Sequence, residues 1–107
     1  MSGLSLHQPV RPGWHCAACH DEWPCARRKD ELYLECDGLI VALSLLMSQY
    51  YADAAADSPN TPAHLLWLRF VAWVRPFVAV RRETAFINSW AAQTRVFNAV
   101  RSPRRGT

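Results

Sequence analysis

The chain has 107 residues, of which 50% are hydrophobic, 11% aromatic and 20% charged. This length allows one small domain, because independent cores usually need on the order of 100 residues each, and the apolar content excludes a wholly disordered chain. The formal net charge of +3 is unevenly spread, since residues 1–74 carry five basic and eight acidic side chains and residues 75–107 carry seven Arg and one Glu. The C-terminal part can therefore meet an acidic partner or nucleic acid.

The apolar runs are short or interrupted. The first 14 residues carry a His, an Arg and two prolines without an apolar core, which does not match a signal peptide. The stretch at residues 63–80 is interrupted by Arg69, Arg75 and Pro76, whereas a membrane-spanning helix needs about 20 apolar residues. We therefore expect a cytoplasmic protein without a membrane span, in a compartment where thiols stay reduced.

The N-terminal quarter differs from the rest of the chain. Residues 1–25 contain three prolines and two glycines with no sustained period, which predicts an irregular arm. Residues 26–35 are rich in good helix formers and predict a first helix, which Asp37 and Gly38 interrupt or cap.

Helical periodicity dominates the remainder. Apolar residues spaced by three and four from Leu39 predict a second helix, and the two prolines within residues 57–62 end it. A third, strongly apolar helix is predicted over residues 62–75, and Pro76 either kinks it or starts a fourth. Because no stretch alternates enough to demand a sheet, we expect a mainly α fold: a small bundle of about four helices with an irregular N-terminal arm.

Three thiols lie within ten residues, at Cys16, Cys19 and Cys25. Two Cys separated by two residues can reach one ion, a third can close on it six residues later, and structural Zn²⁺ prefers four tetrahedral N or S ligands. Since small cores often recruit a metal, the cluster predicts a zinc site.

The fourth ligand has four candidates. His15 and His20 directly adjoin two of the Cys, and immediate neighbours seldom bend back onto the same ion. Cys36 lies about three helical turns after the third Cys, too far unless the first helix is short. His7 stands in an irregular arm, which is geometrically permissive.

Other interpretations of the cluster are weaker. Residues 16–20 also spell CxxCH, the attachment signature of c-type haem, but that chemistry generally follows export and leaves two further Cys unexplained. A CxxC redox pair of thioredoxin type needs a βαβ context that this pattern does not show. The last alternative is four unliganded thiols that pack as small hydrophobic residues.

Two motifs carry a family resemblance. HQPVRPGWHCAAC at residues 7–19 and WPC at residues 23–25 are similar to small actinobacterial proteins with the pattern HxPxRPxWxCxxC…WPC. The similarity continues through YYADAAAD at residues 50–57 and LRFVAWVR at residues 68–75, so it covers about residues 7–75.

This resemblance has consequences for the metal site. It implies that His7 joins Cys16, Cys19 and Cys25 as ligands of one Zn²⁺ ion. The relatives commonly have Gly where this chain has His20, so the CxxCH match is incidental. Many relatives bear the automatic label flavin reductase, which makes that activity one alternative for this chain.

The chemistry of the sequence does not predict an enzyme. Neither a strand series nor a Gly-rich phosphate loop supports a flavin and nicotinamide site, and no Ser, His and Asp set indicates nucleophilic catalysis. Asp53 and Asp57 lie one turn apart, which favours a solvated helix end over acid–base catalysis. Trp67, Trp73 and Trp90 have the helical spacing typical of core residues. We therefore assign no catalytic residue.

Three functions follow from these observations. We expect a zinc-organised interaction or regulatory module that contacts another protein, or itself, through the aromatic helix at residues 62–75. The first alternative is nucleic-acid binding through the Arg-rich C-terminal part, and the second is a flavin reductase-type oxidoreductase. The predicted organisation is a single domain with a zinc-binding arm at residues 1–25, a helical body at 26–100 and a disordered basic tail at 101–107.

Overall fold

The computed structural model describes the backbone of residues 5–101 and the side chains of residues 5–94. It is mainly helical, with α1 at Ala26–Glu35, α2 at Ile40–Asp57, and then three helical segments at Ala63–Trp67, Leu68–Ala72 and Val74–Arg101. These last segments run on as one long helix over residues 63–101, which we call α3. Within the described backbone the chain therefore forms three helices, where the sequence predicted about four.

The middle segment of α3 explains the difference in helix number. Leu68–Ala72 is π-helical, and it leads directly into Val74–Arg101. Pro76 falls in the first turn of that last segment, where a missing backbone N–H is tolerated, and the amide of Phe77 still bonds to the carbonyl of Trp73 at 3.1 Å. Of the two alternatives for Pro76, the start of a separate helix is not observed, because the last segment already begins at Val74 and continues past the proline.

The N-terminal arm contains a small sheet that the sequence did not predict. Strands β1 (Pro9–Val10) and β2 (His15–Cys16) pair antiparallel, with Pro9 opposite Cys16 and Val10 opposite His15. The amide of Trp14 bonds to the carbonyl of Val10 at 2.6 Å and closes the turn between them. Strands of two residues are too short to leave an alternating pattern in a sequence.

The predicted ends of α1 are confirmed. Cys25 is the N-cap, and its sulfur accepts a bond from the amide of Arg28. Asp37 and Gly38 both adopt positive φ, at 55° and 69°, immediately after the helix. A Cβ at position 38 would lie 3.0 Å from the hydroxyl of Tyr33, so this left-handed turn requires glycine.

One core joins the arm to all three helices. A cluster of four aromatic rings forms its centre, with the Trp23 and Tyr50 centroids 4.8 Å apart and the Trp14 and Phe70 centroids 5.3 Å apart. Burial of such rings supplies most of the apolar area that a small domain can remove from water. The other fully buried apolar side chains are Leu32, Leu43, Met47, Ala54, Leu66, Val74 and Val78.

The second half of α3 extends beyond this core. Val78 is the last residue described as buried, and residues 82–90 are all exposed. The molecule is accordingly elongated, with principal extents of 71 × 25 × 23 Å. Trp67 and Trp90 are 48% and 60% exposed, so the prediction that the helix-spaced tryptophans are core residues is wrong for both.

The continuity of α3 also changes the membrane argument. One described helix, Ala63–Thr94, is long enough to span a bilayer and has a window of mean hydropathy 1.3 that is 22% buried. Arg69, Arg75 and Pro76 interrupt the apolar run, but they do not end the helix. A single marginal helix is weak evidence for a span, because helices of soluble proteins have the same length and composition. The predicted tail beyond residue 101 lies outside the described residues.

Candidate metal centre

Four side chains from separate parts of the arm converge on one point. His7 precedes β1, Cys16 ends β2, Cys19 lies in the following turn, and Cys25 caps α1. Their ligand atoms all lie within 4.8 Å of one another and can hold a metal ion. The Nδ1 atom of His7 is 3.3 Å from the sulfurs of Cys16 and Cys19 and 3.4 Å from that of Cys25.

These distances suit a small tetrahedral site. A tetrahedral zinc ion with bonds of about 2.3 Å to sulfur and about 2.0 Å to nitrogen holds the two atoms about 3.5 Å apart. The nitrogen–sulfur distances of 3.3–3.4 Å are within a few tenths of an ångström of that value. The donor set of three thiols and one imidazole therefore fits such an ion in both chemistry and spacing.

Backbone amides support two of the sulfurs. The amide of Cys19 donates to the sulfur of Cys16 at 3.3 Å, and the amide of Arg28 donates to the sulfur of Cys25 at 3.4 Å. Donors aimed at sulfur stabilise the thiolate, which is the form that binds metal. The sharp turn after Cys16 and the first turn of α1 provide these amides.

The pKa values of the Cys16 and Cys19 thiols shift in opposite directions. Burial alone raises the pKa of Cys16, but backbone bonds from Cys19 and Ala18, with contacts to His7 and Cys25, lower this pKa from 9.0 to about 6. Desolvation, together with hydrogen bonds and charge at Cys25 and Cys16, raises the pKa of Cys19 to about 11. In the metal-free cluster, one thiolate thus forms readily and makes the next one harder to form.

His7 is positioned through its backbone. The indole of Trp23 donates to the carbonyl of His7 at 2.8 Å, and the amide of His7 donates to the hydroxyl of Ser5 at 3.0 Å. That hydroxyl in turn donates to Glu31 on α1 at 2.5 Å. A buried indole and the first helix thus fix the arm on both sides of the ligand.

An ion-pair group on α1 continues this chain of contacts. Arg28 is 7% exposed, and its guanidinium bonds to Glu31 at 3.0 Å and to Glu35 at 2.9 Å. The bond from Ser5, followed by the ion pair with Arg28, holds the pKa of Glu31 below its usual value. The arm is therefore tied to α1 by charge as well as by the candidate ligands.

A second contact ties the arm to α2. Arg11 makes two bonds to Asp57, at 2.7 and 3.0 Å, and the indole of Trp14 donates to the same carboxylate at 2.8 Å. The expectation of a solvated helix end is thus wrong for Asp57, whose side chain is 19% exposed. Arg11 and Trp14 lie 46 and 43 positions before Asp57 in the chain, so no local sequence pattern indicates these two contacts.

A third contact ties the arm to α3. The guanidinium of Arg69 donates to the carbonyl of Trp23 at 3.1 Å and also to the carbonyl of Trp14. In the sequence Arg69 is only an interruption of an apolar stretch. The structure shows that Arg69 bonds to the backbone before and after the Cys16–Cys19 turn. This turn is thereby held against α3.

The structure distinguishes His7 from the other three candidates for the fourth ligand. The group of close ligand atoms in the described residues consists of His7, Cys16, Cys19 and Cys25, and it contains neither the adjacent histidines nor Cys36. Cys36 is the C-cap of α1, at the opposite end of that helix from Cys25. The length of α1, ten residues, is what keeps it away.

A groove lies beside the arm. It has a volume of about 460 Å³ and is open to solvent. Glu22 lines the groove from the arm, and Arg69 lines it from α3. Because Arg69 also bonds to the backbone of the arm, the shape of the groove depends on those bonds. The remaining lining residues are Thr61, Leu65, Leu66 and Leu68.

No family model, curated protein or solved structure matches this chain. The resemblance to the actinobacterial proteins, and the flavin reductase label that comes with it, therefore stay predictions from the sequence motifs.

Proposed function

We propose that this chain is a cytoplasmic zinc protein that binds an apolar segment of another protein. Zn²⁺ would be held by His7, Cys16, Cys19 and Cys25, and it would organise the arm as one wall of the groove. The other wall is the exposed side of α3 near its start. The metal has a structural and not a catalytic task in this proposal.

The choice of zinc rests on the donor set. Three thiolates and one imidazole at tetrahedral spacing are a combination that structural zinc sites use and that hard cations such as Mg²⁺ avoid. All four positions are supplied by the protein, which is typical of closed structural sites.

One observation carries the interaction role: Arg69 belongs both to the groove and to the attachment of the arm. Beside it, Leu65, Trp67 and Leu68 are 49%, 48% and 54% exposed on the part of α3 that also supplies Phe70 to the core. Exposed apolar side chains next to charged groups, here Glu22 and Arg69, provide affinity and orientation for a peptide segment. The predicted contact surface at residues 62–75 is thus narrowed to these three residues and the groove.

Nucleic-acid binding has less support. Of the arginines that would contact phosphate, Arg81 pairs with Asp30 and lies 4.7 Å from the ring of Phe77, and Arg82 bonds to the carbonyl of Gly38 at 3.3 Å. Both guanidinium groups are therefore used within the molecule. Phosphate contacts would have to replace those bonds, which lowers the gain from binding.

The test uses paired surface variants. Leu68→Ser should abolish capture of a partner by the tagged full-length protein from the native cell, whereas Leu45→Ser, at a residue 63% exposed on α2, should not. Both variants should keep about one zinc per chain by elemental analysis. Equal capture by the two variants, or a metal-free protein with unchanged melting, would contradict the proposal.

A further inference from the structure

The distal segment of α3, residues 79–94, has no described packing partner for most of its length. Its last contacts with the body come from Arg81, which pairs with Asp30, and from Arg82, which bonds to Gly38. Beyond that point the helix continues through solvent. Isolated helices of this length are marginal in water, so such a helix is stable only when another surface covers it.

One side of this segment is strongly apolar. Val80, Phe86, Ile87 and Trp90 are 58%, 70%, 53% and 60% exposed. Positions separated by three, four or seven residues share a face of a helix, so these four side chains form one stripe. This surface, which we call the distal face, lies on a different part of α3 from the groove.

The size of the distal face matches a two-copy interface. Covering its four side chains would bury on the order of 500 Å² on one chain, and about twice that when two copies cover each other. A specific interface needs roughly 1,000 Å² or more in total. A symmetric pair thus reaches the required area without any other surface.

The charges on the segment favour one orientation. Glu83 is the only acidic residue after position 74, and it lies between Val80 and Phe86 on the same side of the helix. In a parallel pair Glu83 would face Glu83 of the second copy, which is unfavourable. In an antiparallel pair that brings Phe86 against Trp90, the two Glu83 positions lie about 15 Å apart along the helices, so their repulsion is largely removed.

We propose that the chain forms an antiparallel homodimer through the distal faces of two α3 helices. Each copy covers Phe86 and Trp90 of the other, and the two Glu83 side chains stay apart. The two metal-organised bodies would then stand at opposite ends of the assembly, each with its groove free. The homodimer and the binding of a partner segment in the groove are independent proposals, so an experiment can contradict either one alone.

The first test measures mass against concentration for the zinc-loaded full chain by light scattering. The wild-type chain should reach twice the monomer mass, and its helical circular dichroism should rise with association. Phe86→Ala/Trp90→Ala keeps good helix formers in place and should raise the dissociation constant at least about tenfold. The control Val41→Ala/Leu45→Ala removes two apolar side chains of similar exposure, 67% and 63%, from α2 and should leave dimerisation unchanged.

The second test reports orientation. Glu83→Gln removes a repulsion from a parallel pair and changes little in an antiparallel pair, so the proposal requires a dissociation constant close to that of the wild-type chain. A clearly tighter dimer in this variant would overturn the antiparallel arrangement. A monomer at every concentration would overturn the inference, as would equal effects of the two alanine pairs. A monomer that instead sediments with vesicles of anionic phospholipid would assign the distal face to a lipid surface, which also overturns it.

Discussion

Arg69 and Trp23 are 46 positions apart, yet the guanidinium of Arg69 donates to the carbonyl of Trp23 at 3.1 Å. This bond and its counterpart at Trp14 connect the long helix to the backbone that carries the candidate ligands. The candidate metal centre and the helical core are thus connected by hydrogen bonds, and a change in either should be measurable in the other.

Arg69→Lys should destabilise the fold while it retains the metal. A lysine keeps the positive charge but lacks the planar guanidinium that donates to both carbonyls, of Trp14 and Trp23. One carbonyl therefore loses its hydrogen bond, at a cost of about 1–3 kcal/mol. Denaturant unfolding of the zinc-loaded protein measures this loss. Arg75→Lys, at an exposed position six residues further on, is the control and should change little.

Removal of the metal should unfold the arm and weaken the whole domain. Structural zinc contributes on the order of 10 kcal/mol in small fingers, and here the arm supplies Trp14 and Trp23 to the core. A chelator, or Cys16→Ser, should therefore lower the melting temperature sharply by circular dichroism. Cys36→Ser changes a thiol outside the ligand group and should retain about one zinc per chain. Equal melting of the two Cys variants would contradict a metal-dependent fold.

Gly38→Ala should be destabilising and Gly13→Ala nearly neutral. The first position has φ of 69° and would place a Cβ 3.0 Å from the Tyr33 hydroxyl. The second has only the imidazole of His15 nearby, at 3.5 Å, and no positive φ. A loss of about 1 kcal/mol or more is expected for position 38 by denaturant unfolding. Unchanged stability of Gly38→Ala would mean that the turn after α1 does not need a glycine.

Asp57 should make stability depend on pH in the acidic range. The bond from Arg11, assisted by the Trp14 indole, lowers the pKa of Asp57 below the ordinary value of 3.8. A carboxylate with a lowered pKa in the fold stabilises it fully above its unfolded pKa, and this stabilisation is lost as the pH falls through the folded pKa.

The matched variant is Asp57→Asn, which removes this titration. The difference in free energy of unfolding between wild type and Asp57→Asn should be constant near neutral pH and shrink below about pH 4. Using the difference cancels the acid release of metal that both proteins share. A difference independent of pH would show that the Arg11–Asp57 pair does not stabilise the fold.

The local features of this protein were accessible from its sequence. Helix formers and the Asp37–Gly38 turn give α1 its bounds, and the spacing of three Cys predicts a cluster. Contacts between distant residues were not accessible, because nothing near Arg69 indicates that its partners are two backbone carbonyls of the arm. The π turn at Leu68–Ala72 was missed for a related reason, since it depends on how α3 packs and not on a residue type.

The sulfur of Cys25 has two structural roles. It belongs to the candidate ligand group, and it also accepts the amide of Arg28 at the start of α1. The first turn of a helix is the costly step of its formation, because several residues must be ordered before the bonds that reward them exist. A metal ion that fixes Cys25 would therefore nucleate α1, and the supply of metal would decide when during folding this helix appears.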